Sequence, residues 1–159
     1  MRYLAFLNHW LAVIGRFFRS PLLLILRLFF GIGFFLAGWG KLQNISSFAD
    51  VLLTLDIPYP DFFAWATALT EAIGGIFLTL GLLSHIVTLP LIIVMAVAYA
   101  TAHAEAIYAF PTNPKLFVEQ GAFNFLLTSL LVFAFGPGIF SLDALLFRNM
   151  KKDEQKLAK

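Results

Sequence analysis

The 159 residues include no cysteine and little charge: 13% of the chain is charged against 60% hydrophobic. Without a thiol there is no disulfide, no thiol nucleophile, no CxxC redox pair and no cysteine-held iron–sulfur cluster. So little charge, at a mean hydropathy of +0.87, excludes an ordinary soluble enzyme, because a domain of this size leaves much of its surface in water. A disordered chain and a secreted disulfide scaffold are excluded as well. The sequence also has no P-loop, Rossmann glycine pattern, HExxH or GxSxG elbow. Nothing in it suggests nucleic acid.

Histidine is nearly absent too. His85 and His103 are separated by 18 residues, about 27 Å along a helix, too far to ligate one haem iron. His103, Glu105 and Glu119 lack the spacing of a metal site, and no metal or intrinsic cofactor is assigned.

What the chain does have is phenylalanine, 19 residues of it, and long apolar runs. About 20 mainly apolar residues cross a bilayer as a helix. Four windows meet that length: about Pro21 to Trp39, Phe62 to Leu83, His85 to His103, and Phe117 to Phe135. Breakers separate them. Ser20-Pro21 reads as an N-cap and first helical residue, and the Pro58-Tyr59-Pro60 stretch reads as an extended loop. Pro111 to Pro114 divides the last two windows, and Gly136-Pro137-Gly138 stops the fourth. Only Ser84 and its neighbours join the second and third, which predicts a tight antiparallel hairpin.

The expected fold class is therefore all-α, an integral membrane four-helix bundle. Residues 1–20 form an interfacial N-terminal amphipathic helix, 21–147 the transmembrane domain and 148–159 a basic cytoplasmic tail. A signal peptide is the competing reading of the N-terminal segment, but no small-x-small cleavage pattern follows it. Eight of the eleven basic residues fall in the two end segments, leaving Arg27, Lys41 and Lys115. Both termini are thus expected in the cytoplasm, as an even number of spans also requires.

Two ionisable residues lie well inside the windows, Arg27 and Glu71. Each is costly in hydrocarbon unless it faces the bundle interior or snorkels. Counting from the window ends puts them about one turn apart in depth, so they pair or share a polar pocket. The alternative is that Arg27 snorkels to the cytoplasmic headgroups and Glu71 packs neutral against a neighbouring helix. Gly74 and Gly75, at i+3 and i+4 from Glu71, belong to that pocket or serve only as close helix contacts. A second polar group, Lys41, His103, Glu105, Glu119 and Gln120, collects at the extracytoplasmic ends. It reads either as interface anchoring or as the lined mouth of a small-molecule site. Met95, Tyr99 and His103 lead toward it at i, i+4, i+8 spacing.

Taken in order, several short motifs are informative together. They are Arg27-Leu-Phe-Phe-Gly31, Gly38-Trp-Gly-Lys41-Leu42, Pro58-x-Pro60, Glu71-Ala-Ile-Gly74-Gly75, Leu80-Gly81-Leu82 and Gly136-Pro137-Gly138-Ile-Phe-Ser141-Leu142-Asp143. The set resembles the DoxX family of small four-span bacterial inner-membrane proteins over about residues 22 to 147. One departure is Ser84-His85, where relatives commonly carry an arginine. The resemblance implies a multi-pass protein of the bacterial inner membrane, with the family's polar positions at Arg27, Lys41, Glu71, His103 and Glu119. It further implies a partner-dependent subunit of a membrane redox system that touches a quinone. No self-contained catalytic motif accompanies it, and without cysteine the chain cannot relay thiol electrons itself. A membrane anchor for a soluble partner and a small-molecule or ion transporter are the alternatives. The expected partners are the lipid bilayer, a redox protein and a further copy of the chain.

Overall fold

A computed structural model describes residues 2–146, and every regular element among them is a helix. The chain order is α1 (Arg2–Gln43), α2 (Ile45–Thr54), α3 (Pro60–Leu80), α4 (Ser84–Ala100), α5 (Ala104–Tyr108), α6 (Pro114–Val118) and α7 (Gly121–Phe135). The expected basic tail, 148–159, lies outside the described residues. Helices α1 and α3 are long and apolar enough to cross a membrane, while α4 and α7 are shorter apolar helices of 17 and 15 residues. Helix α1 packs on α3, α3 on α4, α4 on α7 and α7 back on α1, closing a ring of four.

The boundaries depart from the sequence reading in three places. Helix α1 runs through Ser20-Pro21 without a break, so Pro21 lies inside it and Ser20 is no cap. The hydroxyl of Ser20 instead accepts the Ile139 N–H at 3.4 Å. Proline removes one helical N–H but is tolerated where neighbouring segments satisfy what it frees. The fourth window begins late, because 114–118 forms a separate turn before α7 starts at Gly121. Helix α2 occupies a stretch read as connection. Its Ile45, Phe48, Ala49 and Leu52 recur at helical spacing and pack on Ala64 of α3.

The hairpin between α3 and α4 is as short as expected. It consists of Gly81, Leu82 and Leu83, with Gly81 at φ +65° and Leu83 at φ +50°. Glycine enters the left-handed region without steric cost, and a helix stops there cleanly.

Small residues fix the register of α1 against α3. A Cβ at Gly38 would collide with the backbone of Ala68 and Ala72, and one at Gly75 with the backbone of Gly31 and Phe35. The two backbones are in direct contact, the geometry that small residues allow in membrane helices. The central core of Leu23, Phe34, Leu78, Leu91, Met95 and Val132 fills the middle of the ring.

Candidate functional site

The α1–α3 register decides which buried charges meet. Gly31 lies opposite Gly75 and Thr79, and Gly38 opposite Ala68 and Ala72. Running the antiparallel pair outward puts Arg27 beside Gly81 at one end of the ring and Lys41 beside Glu71 toward the other. Arg27 and Glu71 are both buried, as expected, at 0% and 1% exposure. They do not pair. The level of Arg27 on α3 is Gly81, ten residues from Glu71, so about 15 Å of helix separates them. Counting depth from window ends assumes that the windows begin and stop at common planes. The glycine contacts set a different stagger.

At the Arg27 end the chain closes around a guanidinium. Arg27 donates from Nη2 to the carbonyl of Phe140, while its Nε and Nη1 are buried without a hydrogen-bond partner. Asp143, 6% exposed, sits over the start of α4. Its Oδ1 accepts the Leu83 N–H at 2.8 Å, and its Oδ2 accepts the Ser84 N–H at 2.9 Å. In return the Asp143 N–H donates to the Gly81 carbonyl at 3.0 Å. A carboxylate at a helix N-terminus satisfies donors the helix cannot use and offsets its dipole. Ser141 holds this segment in shape, donating to the Gly138 carbonyl at 2.7 Å and accepting from the Ala144 N–H at 3.1 Å. His85 adds a bond from its Nδ1 to the carbonyl of Phe133 at 2.9 Å.

Asp143 and Ser141 were read only as parts of a family motif, not as members of a polar site. A local signal is present: a serine beginning a helical turn two residues before an aspartate, three residues after the last glycine of Gly-Pro-Gly. What that aspartate would cap could not be read locally, because its partners lie about 60 residues upstream.

The other end carries an ion pair. Lys41 and Glu71 are bonded through Nζ and Oε2, with the Glu71 side chain 2% exposed and that of Lys41 27% exposed. Lys41 Nζ also lies 5.0 Å from the centroid of the Phe48 ring of α2, a cation–π contact. The stacked Phe35 and Trp39 rings stand close by in sequence on α1, 6.2 Å apart. This pair is closed from within and open on the lysine side.

The other polar residues expected at this end do not converge. Glu119 is exposed and bonds Lys115 at 3.3 Å across one helical turn. Gln120 turns back to the Leu116 carbonyl at 3.0 Å, and Glu105 is exposed. His103 faces Tyr99 with ring centroids 5.8 Å apart, while the Tyr99 hydroxyl donates to the Phe117 carbonyl at 2.8 Å. Among the described residues, no ion pair or hydrogen bond joins any two of Lys41, His103, Glu105, Glu119 and Gln120. Lys41 is drawn away to Glu71 by the helix register. Gly74 and Gly75 are both close helix contacts. A Cβ at Gly74 would come within 2.9 Å of the Leu91 side chain on α4, and Gly75 touches α1.

Two polar centres exist, as expected, but Arg27 and Glu71 belong to different ones. The first is a sealed arginine with an aspartate clamp, and the second a lysine–glutamate pair reachable from one side. Residues 22–104 match the family described as DoxX, a stretch that contains Arg27, Lys41, Glu71 and the α3–α4 hairpin. No curated protein and no solved structure matches the chain.

Proposed function

The chain belongs to the DoxX family, and from that premise we propose that it is a four-span protein of the bacterial inner membrane. In this reading it is a partner-dependent subunit of a membrane redox system, and its Lys41–Glu71 pair holds the head of a quinone. The observation that carries the reading is the asymmetric burial of that pair. Glu71 is enclosed, whereas Lys41 keeps about a quarter of its side chain accessible.

A quinone offers two carbonyl oxygens, which only accept hydrogen bonds, and a flat apolar ring. Lys41 supplies the donor and Phe48 a ring face, with Trp39 two residues before Lys41. Glu71 accepts from the lysine Nζ and fixes its position. A few polar groups set among apolar and aromatic ones are the usual makeup of a small-molecule site. The quinone brings the capacity to take up electrons, and a partner protein supplies them. The ring packing of α1, α3, α4 and α7 supports four spans. The basic end segments support cytoplasmic termini.

Transport fits less well. Buried Phe34, Leu78 and Leu91 separate the two polar centres. The hydroxyls of Thr88 and Ser129 bond carbonyls of their own helices rather than forming a path between the centres.

The test is photolabelling of the purified full chain in lipid nanodiscs with an azido-quinone, mapped by mass spectrometry. Label is expected on residues flanking Lys41 and on α2. The double variant Lys41→Met/Glu71→Gln should lose it about tenfold, the loss expected when one charge-assisted hydrogen bond goes. Label spread evenly over the lipid-facing helices, or unchanged in the variant, would overturn the reading.

A further inference from the structure

Two open grooves meet between α1, α7 and the segment after α7, on the half of the ring that holds Arg27. The first, about 260 Å³, is walled by apolar side chains including Leu22, Leu26 and Leu131, with Gly15 at its rim. Beyond its own stretch of helix, nothing lies within 4 Å of where a Gly15 Cβ would stand, so a side chain added there meets open space. The second groove, about 360 Å³, is lined by Arg16, Arg19, Ser20 and the turn at Gly138 and Ile139. Arg19 and Phe135 belong to both, so the apolar trough opens directly onto a basic mouth.

Arg19 is already held in position. Its Nη2 donates to the Phe135 carbonyl, and its guanidinium carbon lies 5.0 Å from the centroid of the Phe135 ring. Among the described residues its other N–H groups meet no acceptor, and a preorganised donor loses little freedom when it binds. Arg16 adds a second guanidinium, and among the described residues no carboxylate lines either groove.

An oil-lined trough that ends at two arginines matches one kind of molecule. We infer that this composite groove binds a single anionic phospholipid, with an acyl chain along Leu22, Leu26 and Leu131 and its phosphate against Arg16 and Arg19. A free phosphate would leave the trough unused. A zwitterionic lipid would fill the trough but bring its cationic group toward the arginines. The site lies apart from Lys41 and Glu71, and it does not depend on the quinone reading.

The experiment is native mass spectrometry of the full chain, purified in a neutral detergent and supplied with phosphatidylglycerol or phosphatidylcholine at equal concentration. One phosphatidylglycerol is expected to stay bound, with phosphatidylcholine retained far less. The double variant Arg16→Gln/Arg19→Gln should lower retention about tenfold or more, as expected for loss of charge-assisted hydrogen bonds. Gly15→Phe, which fills the hollow with both arginines intact, should lower it as well. Leu22→Trp, at a half-open wall position, is the second filling variant should Gly15→Phe melt early. Inorganic phosphate should not displace the lipid, and Lys41→Met/Glu71→Gln should leave retention unchanged. The inference falls if both lipids are kept equally or if the arginine and filling variants behave as wild type. It also falls if phosphate alone displaces the lipid, which would make the mouth a plain anion site.

Discussion

The two ends of the helix ring solve the same problem in different ways. At one, Arg27 is wholly enclosed, its partner is a backbone carbonyl, and the nearby carboxylate of Asp143 is spent on the first turn of α4. At the other, Lys41 and Glu71 neutralise each other directly, and one of the two stays in reach of the surroundings. A buried charge whose one hydrogen bond goes to neighbouring backbone is tied to the fold, since losing it opens the segment it holds. A charge pair with an accessible member can trade partners when a ligand arrives. The closed end therefore reads as architecture and the open end as the site of exchange.

Three changes break or sharpen that contrast, in falling order of effect. Gly38→Leu removes the premise both ends share. A side chain there collides with the α3 backbone at Ala68 and Ala72, so the register that sets both centres is lost. The expected result is failure to accumulate in the membrane, or a melting temperature lowered by about 6–12 °C or more. A cost of about 3 kcal/mol or more would do this, at about 2–4 °C per kcal/mol for a chain of this size. Size-exclusion chromatography and a thermal melt in detergent check it.

Asp143→Ala should damage the closed end alone. Two backbone donors at the head of α4 lose a charged acceptor, which costs about 2–4 kcal/mol. Asp143→Asn, which keeps one carbonyl oxygen, should cost about half of that. Hydrogen exchange should accelerate at Leu83 and Ser84 while the amides around Lys41 keep their protection. Equal acceleration at both ends would mean that the two centres are one cooperative unit.

Lys115→Ala sets the lower bound. Its bond to Glu119 joins two exposed side chains one turn apart, and pairs of this kind contribute about 0.5 kcal/mol or less. No measurable change in the melt is expected. A shift comparable to that of Asp143→Ala would show that α6 does more than cover the ring.

Much of this was legible from composition and periodicity. The apolar windows, the tight α3–α4 hairpin and the burial of Arg27 and Glu71 follow from elementary costs of charge and backbone in oil. The partners of those charges were not legible, because pairing depends on stagger, and stagger is set by glycine and alanine contacts between helices far apart in sequence. Gly31, Gly38 and Gly75 were visible as small residues, but which of them meet is a three-dimensional fact. Helix α2 was missed for a different reason. It has ten residues, too few to cross a bilayer, and it follows the Trp39-Gly40-Lys41 stretch read as an exit. Its apolar face on α3 becomes apparent only once Ala64 is in place. Asp143 needed the same long-range knowledge.

The bond from Arg27 to Phe140 spans 113 residues of chain. A ribosome adding about 5–20 residues per second takes roughly 6 to 20 seconds to make that interval. Throughout that time the nascent protein carries a guanidinium whose acceptor has not been synthesised. The segment after α7 is thus the latch on a charge made early, and a product cut short before residue 140 would lack the carbonyl that receives that arginine.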